Sequence, residues 1–213
     1  MNRFLLGVCM MFSTTLSMLH AQVDGEAKAL LDKLSEKTKS YKTVEVAFSF
    51  FIEGRGLNQE SRGVLKMKGD LYQLQMDSLV VVSDGKTVIT YRADVNEAQR
   101  VPVNELEEDA LTPQTMFTIY EKGFKGKIKE KKTVGGRKIT VIDLFPTNPK
   151  DKDYSIVRLD IDEDKLQIIK ALVIGKNGTK YTYRIERLTP DKDFPASIFV
   201  FDASKYPGVT MVD

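Results

Sequence analysis

Val44-Glu45-Val46-Ala47-Phe48-Ser49-Phe50-Phe51-Ile52 alternates apolar and mostly polar positions: Val44, Val46, Phe48, Phe50 and Ile52 fall on one side, and Glu45, Ala47, Ser49 and the following Glu53 occupy most of the other. Successive side chains of a strand point to opposite faces, so this spacing predicts a strand with one strongly apolar side. The same period runs through Leu65 and Met67 and, after a Gly69-Asp70 turn, through Tyr72, Leu74 and Met76. Val80 to Ser83, an Asp84-Gly85 turn and Thr87 to Tyr91 read as a hairpin, because Asp-Gly supplies the backbone geometry that tight antiparallel turns need.

Strand patterns resume downstream. Phe124 to Lys131 leads through Gly135-Gly136 into Lys138 to Phe145, and a polar loop, Pro146 to Asp153, follows. Tyr154 to Ile161 is expected to pair with Leu166 to Gly175, and Asn177-Gly178 returns the chain through Thr179 to Leu188. There Tyr181, Tyr183 and Ile185 share one face against Lys180, Thr182, Arg184 and Glu186. A short strand is expected at Ile198 to Phe201, between Pro195 and Pro207. About eleven or twelve strands joined by tight turns predict an antiparallel meander. No repeat of propeller or solenoid length is present.

Two segments change period. Ala27, Leu30, Leu31, Leu34 and Tyr41 have helical spacing, which predicts an amphipathic helix over Glu26 to Tyr41 with Asp24 as its cap. A second, short helix is expected from Thr112, with Pro113 at its first position and Gly123 at its end, carrying Met116, Phe117, Ile119 and Tyr120. A sheet of more than about ten strands must curl, split or close. With two apolar helices as its covers, the expected arrangement is one strongly curved sheet whose concave, aromatic-rich face lies under them, leaving an apolar hollow where helix and sheet fail to interlock.

Composition removes most enzyme chemistry. The chain has one cysteine and one histidine, Cys9 and His20. Both lie in a stretch that reads as a secretory signal: Arg3, an apolar run from Phe4 to Phe12, and Ala21 at the expected cleavage point, which would leave Gln22 first. On that reading residues 22–213 form a single exported domain, without a disulfide, a Ser-His-Asp or Cys-His nucleophile, or a Cys/His zinc site. No later run approaches the ~20 apolar residues of a membrane-spanning helix. The balance of 32 basic to 30 acidic residues gives no electrostatic argument for nucleic acid.

The leading helix ending in Ser40-Tyr41, the Ala47-Phe48 strand, the Val82-Ser83-Asp84-Gly85-Lys86-Thr87 hairpin, and Phe199-Val200-Phe201 followed by Pro207-Gly208-Val209 together resemble, in order, the LolA family of periplasmic outer-membrane lipoprotein carriers. The resemblance implies an unclosed β-barrel of eleven strands with a helical lid over a cavity that receives acyl chains. It also implies an inner-membrane ABC-type transporter that loads the carrier and an outer-membrane acceptor that empties it. On this reading the protein is periplasmic, binds no cofactor, and is a monomer. The cavity is expected to be lined by Val46, Phe48, Phe50, Leu65, Met67, Tyr72, Leu74, Met76, Ile89, Tyr91, Tyr181, Tyr183 and Ile185, with Leu30, Leu34, Met116, Phe117, Ile119 and Tyr120 on the lid. One departure stands out. Where the family typically has an arginine followed by proline, which helps to latch the lid, this chain reads Met67-Lys68-Gly69-Asp70, and lysine lacks the planar donor fork of arginine.

Other constellations read as solvated surface. Asp160-Ile161-Asp162-Glu163-Asp164 begins like a calcium loop, but Lys165 stands where glycine is needed and Ala171 where the closing glutamate belongs; an acidic hairpin turn is expected. Glu105, Glu107, Glu108 and Asp109 form an acidic loop rather than a spaced carboxylate pair. Lys125, Lys127, Lys129, Lys131 and Lys132 give a strand a basic edge, read as edge protection or as contact with anionic headgroups or an acidic partner. Three functions are compatible with these residues: an acyl-chain carrier, an RseB-like periplasmic sensor of lipid or protein on the same fold, and an enzyme working with carboxylates, tyrosines or arginines.

Overall fold

The computed structural model describes residues 17–54, 56–106, 120 and 123–212, with side chains from residue 25 onward. One α-helix, α1 (Ser17–Lys39), precedes β1 (Val44–Gly54), β2 (Leu57–Lys68), β3 (Leu71–Met76), β4 (Leu79–Ser83), β5 (Thr87–Arg92) and β6 (Glu97–Pro102). After them come β7 (Phe124–Val134), β8 (Arg137–Pro146), β9 (Tyr154–Asp162), β10 (Gln167–Gly175), β11 (Lys180–Pro190) and β12 (Thr210–Val212). All twelve strands form one sheet in the order β12-β6-β5-β4-β3-β2-β1-β11-β10-β9-β8-β7. The two consecutive runs of hairpins meet where β1 pairs with β11, and β12 and β7 remain as separate edges, so the sheet does not close.

The turns form as their residues dictate. Gly135 and Gly136 both have positive φ, the condition for a two-residue hairpin turn whose twist matches its strands. At the β4–β5 turn the Asp84 carboxylate accepts from the amides of Lys86 at 2.9 Å and Thr87 at 2.8 Å. These two donors hold its pKa below the usual carboxylate range. At the acidic β9–β10 turn, the amide of Lys165 donates to Asp162 Oδ1 at 3.0 Å. No group of metal-ligating side chains occurs among the described residues.

Several expectations need correction. Helix α1 runs through position 24 instead of starting there, and it ends at Lys39. Lys37 and Lys39 occupy its last turn, where positive charge complements the helix dipole. Strand β6 did not show in the sequence, because Ala98 is its one buried residue. The strand expected at Ile198 to Phe201 is instead a 3₁₀ turn, Ala196–Phe199. The last strand lies further on, at β12, and runs parallel to β6 in an otherwise antiparallel sheet. The short helix expected from Thr112, with Met116, Phe117 and Ile119, lies outside the described residues apart from Tyr120 and Gly123.

Candidate functional site

Directly opposed residues of paired strands share a face, so the register maps the sheet. Val81, Leu74, Leu65, Val46 and Leu188 form one row across β4, β3, β2, β1 and β11. A second row, Phe50, Tyr183, Ala171, Leu159, Ile142 and Ile128, continues on the same face from β1 to β7. One apolar face therefore extends unbroken across nearly the whole sheet.

Helix α1 covers only part of it. Ala27, Leu31 and Leu34 pack into a core with Ile142, Leu144, Val157, Leu159, Ile161, Ala171 and Val173, and the expected lid residue Leu30 is half-buried against the same cluster. The helix comes close enough for Leu31 to stand 3.1 Å from where a side chain at Gly126 of β7 would begin. Tyr120, the described residue of the second expected lid segment, is buried in this cluster as well.

Beyond the helix the apolar face continues over β11, β1, β2 and β3. Val44, Val46, Phe48, Leu65, Tyr72 and Val88 are buried, and around them Phe50, Met67, Leu74, Met76, Val81, Tyr183, Ile185 and Leu188 are only half-buried. Tyr41 and Leu106 pack at its margin. This is a graded wall, its base sealed and its rim partly wet. Between its aromatic end and the β9 and β10 termini lies a cavity of about 530 Å³, lined by Phe50, Tyr154, Val173, Tyr181 and Tyr183, with Asp153, Lys176 and Asn177 also at its border. That volume falls within the range of small-ligand sites.

Aromatic contacts stiffen the wall. Phe50 stacks with Tyr181 at 6.4 Å and meets Tyr183 at 4.6 Å, while Phe48 lies 6.2 Å from Tyr183. Loss of solvation pushes the Tyr183 hydroxyl up to about 12, with a smaller effect from Tyr181. Burial also raises Tyr72. These hydroxyls are neutral in ordinary solution, so the wall carries no charge of its own.

Eleven of the thirteen expected wall residues share this face: Val46, Phe48, Phe50, Leu65, Met67, Tyr72, Leu74, Met76, Tyr181, Tyr183 and Ile185. Ile89 and Tyr91 do not. Ile89 opposes Val82 and Tyr91 opposes Val80, one residue out of phase with the Leu74 and Val81 row. On their face the C-terminal segment folds back, so that Tyr91 packs against Tyr206 at 4.2 Å and Phe201 at 6.1 Å. Its hydroxyl donates to Asn96, which in turn donates to the carbonyl of Pro207. The wall residues absent from the expected lining are Val44, Val81, Val88 and Leu188; each alternates correctly within its strand, but only the register assigns its place on the face. Lys68, at the expected latch position, is exposed and forms no ion pair among the described residues.

The opposite face carries charge. Glu45 accepts both of its short contacts from Lys192 Nζ, at 2.9 and 2.8 Å, and Arg187 lies 3.8 Å away. The hydrogen bond from Lys192 is the main reason its pKa is depressed. Arg158 grips Asp143 with two hydrogen bonds of 2.5 and 2.9 Å.

These residues form a graded apolar wall beside one helix, on an unclosed sheet. The family model described as outer membrane lipoprotein carrier protein LolA matches residues 39–202. The chain belongs to the LolA family. No curated protein matches its sequence. Among solved structures, it is similar to an uncharacterized conserved protein from Thermus thermophilus, at 8% identity and a TM-score of 0.58, with 88% of this chain and 98% of the other covered. A LolA superfamily protein from Nitrosomonas europaea is 12% identical at a TM-score of 0.43, with 82% of this chain and 97% of that one covered. MucB, from the Pseudomonas aeruginosa MucA/MucB complex, is 14% identical at a TM-score of 0.40, with 84% and 62% covered. At 8% identity, the likeness to the Thermus protein speaks for a common fold alone. Among the described residues of this LolA-family chain, no helix is long and apolar enough to cross a membrane.

Proposed function

We propose that this protein is a periplasmic carrier that shelters the acyl chains of lipoproteins against the wall on β1, β2, β3 and β11. In this reading it takes its cargo from an inner-membrane ABC-type lipoprotein-releasing transporter and passes it to an outer-membrane acceptor. The observation that carries the reading is the half-buried set Phe50, Met67, Leu74, Met76 and Ile185, contiguous on the helix-bearing face. Family membership supports it.

The physical chemistry fits a shuttle. Withdrawing an acyl chain from water is worth about 0.8 kcal/mol per methylene, so an unsheltered chain does not cross an aqueous compartment. A wall already half-hydrated binds such a chain without the cost of opening a sealed core. Met67 and Met76 are unbranched and polarizable, and adapt to chains of different shape. Any outward movement of α1 would have to break the buried contacts of Leu31 and Leu34, so in this chain the helix is tied to the β7–β10 half of the sheet, and the cargo surface lies beside it.

Native mass spectrometry of the protein isolated from its own periplasm tests the reading. A bound triacylated polypeptide is expected. A free lipid, a glycan or a peptide signal in its place, with no lipoprotein, would overturn it in favour of a sensor or another class of binding protein.

A further inference from the structure

Among the described residues strand β7 is an edge of the sheet, and it carries five lysines within eight residues. A bulge at Lys129 changes the strand's phase, and with it the fate of these charges. Beyond the bulge, Lys131 turns to the helix-bearing face and pairs with Glu26 of α1, while Lys132 reaches Asp160 at 3.5 Å on the opposite face. Before and at the bulge, Lys125, Lys127 and Lys129 are exposed and form no ion pair among the described residues.

Among the described residues, Asp143, directly opposite Lys127, is held by Arg158, and the exposed Glu130 forms no ion pair with Lys125, Lys127 or Lys129. Directly opposite Lys125 stands Phe145, an aromatic ring left 38% exposed. Lysines on an edge strand discourage edge-to-edge pairing, but that role does not call for an exposed phenylalanine among them.

We propose that this edge docks on a bilayer surface presenting anionic phospholipid headgroups, with Lys125, Lys127 and Lys129 facing the phosphates and Phe145 entering the interface. The residue types favour a lipid surface over a protein one. Protein interfaces are enriched in arginine and depleted in lysine, whereas a compact, hydrated ammonium needs no fixed partner geometry. Alternate residues of a strand stand about 6.6 Å apart, so the strip offers a row of separate point charges to a mobile layer of headgroups. The proposal rests on this edge alone and does not depend on what the apolar wall binds.

Co-sedimentation of the full chain with vesicles of phosphatidylglycerol and phosphatidylethanolamine, against vesicles of phosphatidylcholine alone, tests it. Each lysine near such a surface contributes about fivefold to partitioning, so K125Q, K127Q and K129Q together should weaken binding on the order of a hundredfold. Binding should also collapse in 1 M salt, where the screening length falls to about 3 Å. F145S, which keeps every charge, should lower binding several-fold, and K33Q, K42Q and K180Q together, at exposed lysines elsewhere, should change it little. Equal binding to both vesicle types, or a triple variant that binds like wild type with an unaltered circular dichroism spectrum, would overturn the proposal. So would retention on immobilised polyglutamate without vesicle binding, which would assign the strip to an acidic protein.

Discussion

Gly63 lies directly opposite Phe48 across the β1–β2 pair, and the phenyl ring fills the space a side chain at 63 would need: a Cβ there would stand 2.6 Å from the ring and 2.6 Å from Met76. The absence of a side chain on β2 thus leaves room in the wall for an aromatic ring from β1.

Gly63→Val should therefore force Phe48 and Met76 aside. The expected cost is about 1–3 kcal/mol, the usual range for overpacking, seen as a lower unfolding midpoint in urea. Because the displaced groups belong to the wall, uptake of a fluorescent acyl probe should fall as well. A variant with unchanged stability would mean that Phe48 and Gly63 are not in contact.

The core under α1 and the wall beside it should respond differently to truncation. Leu34 is 1% exposed within a closed cluster, so Leu34→Ala should cost about 2–5 kcal/mol by lost transfer energy and a residual cavity. Met76 is half-buried, and Met76→Ala should cost clearly less. Denaturant titration of the two variants decides this, and equal losses would show that the wall is as tightly packed as the helix cluster.

Acid should weaken the opposite face through Glu45. Its carboxylate is 8% exposed and its pKa is depressed mainly by the hydrogen bond from Lys192. A depressed carboxylate stabilises the fold above its unfolded value of about 4.3 and loses that contribution as pH falls through the lower folded value. Lys192→Met should thus cost about 1–2 kcal/mol at pH 7 and progressively less as the pH falls below about 4. A penalty that does not change with pH would assign the role of Lys192 to packing on the nearby Phe194 ring instead of to charge.

Tyr183 predicts the reverse dependence at the alkaline end. With its hydroxyl pushed up to about 12 by burial, the folded protein holds a proton that the unfolded chain releases near 10. That contribution is fully present below pH 10 and is lost as pH rises toward 12. Tyr183→Phe should flatten this loss, as read from unfolding midpoints between pH 9 and 11.5. Spectroscopic titration of tyrosinate should show one group ionising last in the wild type.

The strands, the turns at Asp84-Gly85, Gly135-Gly136 and Asn177-Gly178, and the apolar helix stripe were readable in the sequence because each depends on neighbours a few residues apart. What escaped depends on distant pairing. Ile89 and Tyr91 alternate as faithfully as Leu74 and Met76, yet the β4–β5 register turns them to the far face. The polar strand β6 and the three-residue β12 carry too little apolar signal to stand out. That α1 covers β7 to β10 and leaves the β1 to β3 wall beside it follows from which half of the sheet Leu31 and Leu34 meet, and no local period encodes that.

The same parity supplies a sharp test of the cargo surface. Leu74 and Gln75 are neighbours on β3, but Leu74 shares the row of Leu65 and Val81, and Gln75 faces the other way and is exposed. Leu74→Glu would set a carboxylate in the middle of the wall; because Leu74 is only half-buried, the charge keeps access to water and the variant should still fold. An acyl chain laid on the wall would shield that charge from water, so binding should drop by at least tenfold. Gln75→Glu adds the same charge one residue away on the opposite face and should leave binding intact. Measured with a fluorescent fatty-acyl probe and checked by circular dichroism, equal behaviour of the two folded variants would place the acyl chains somewhere other than this face.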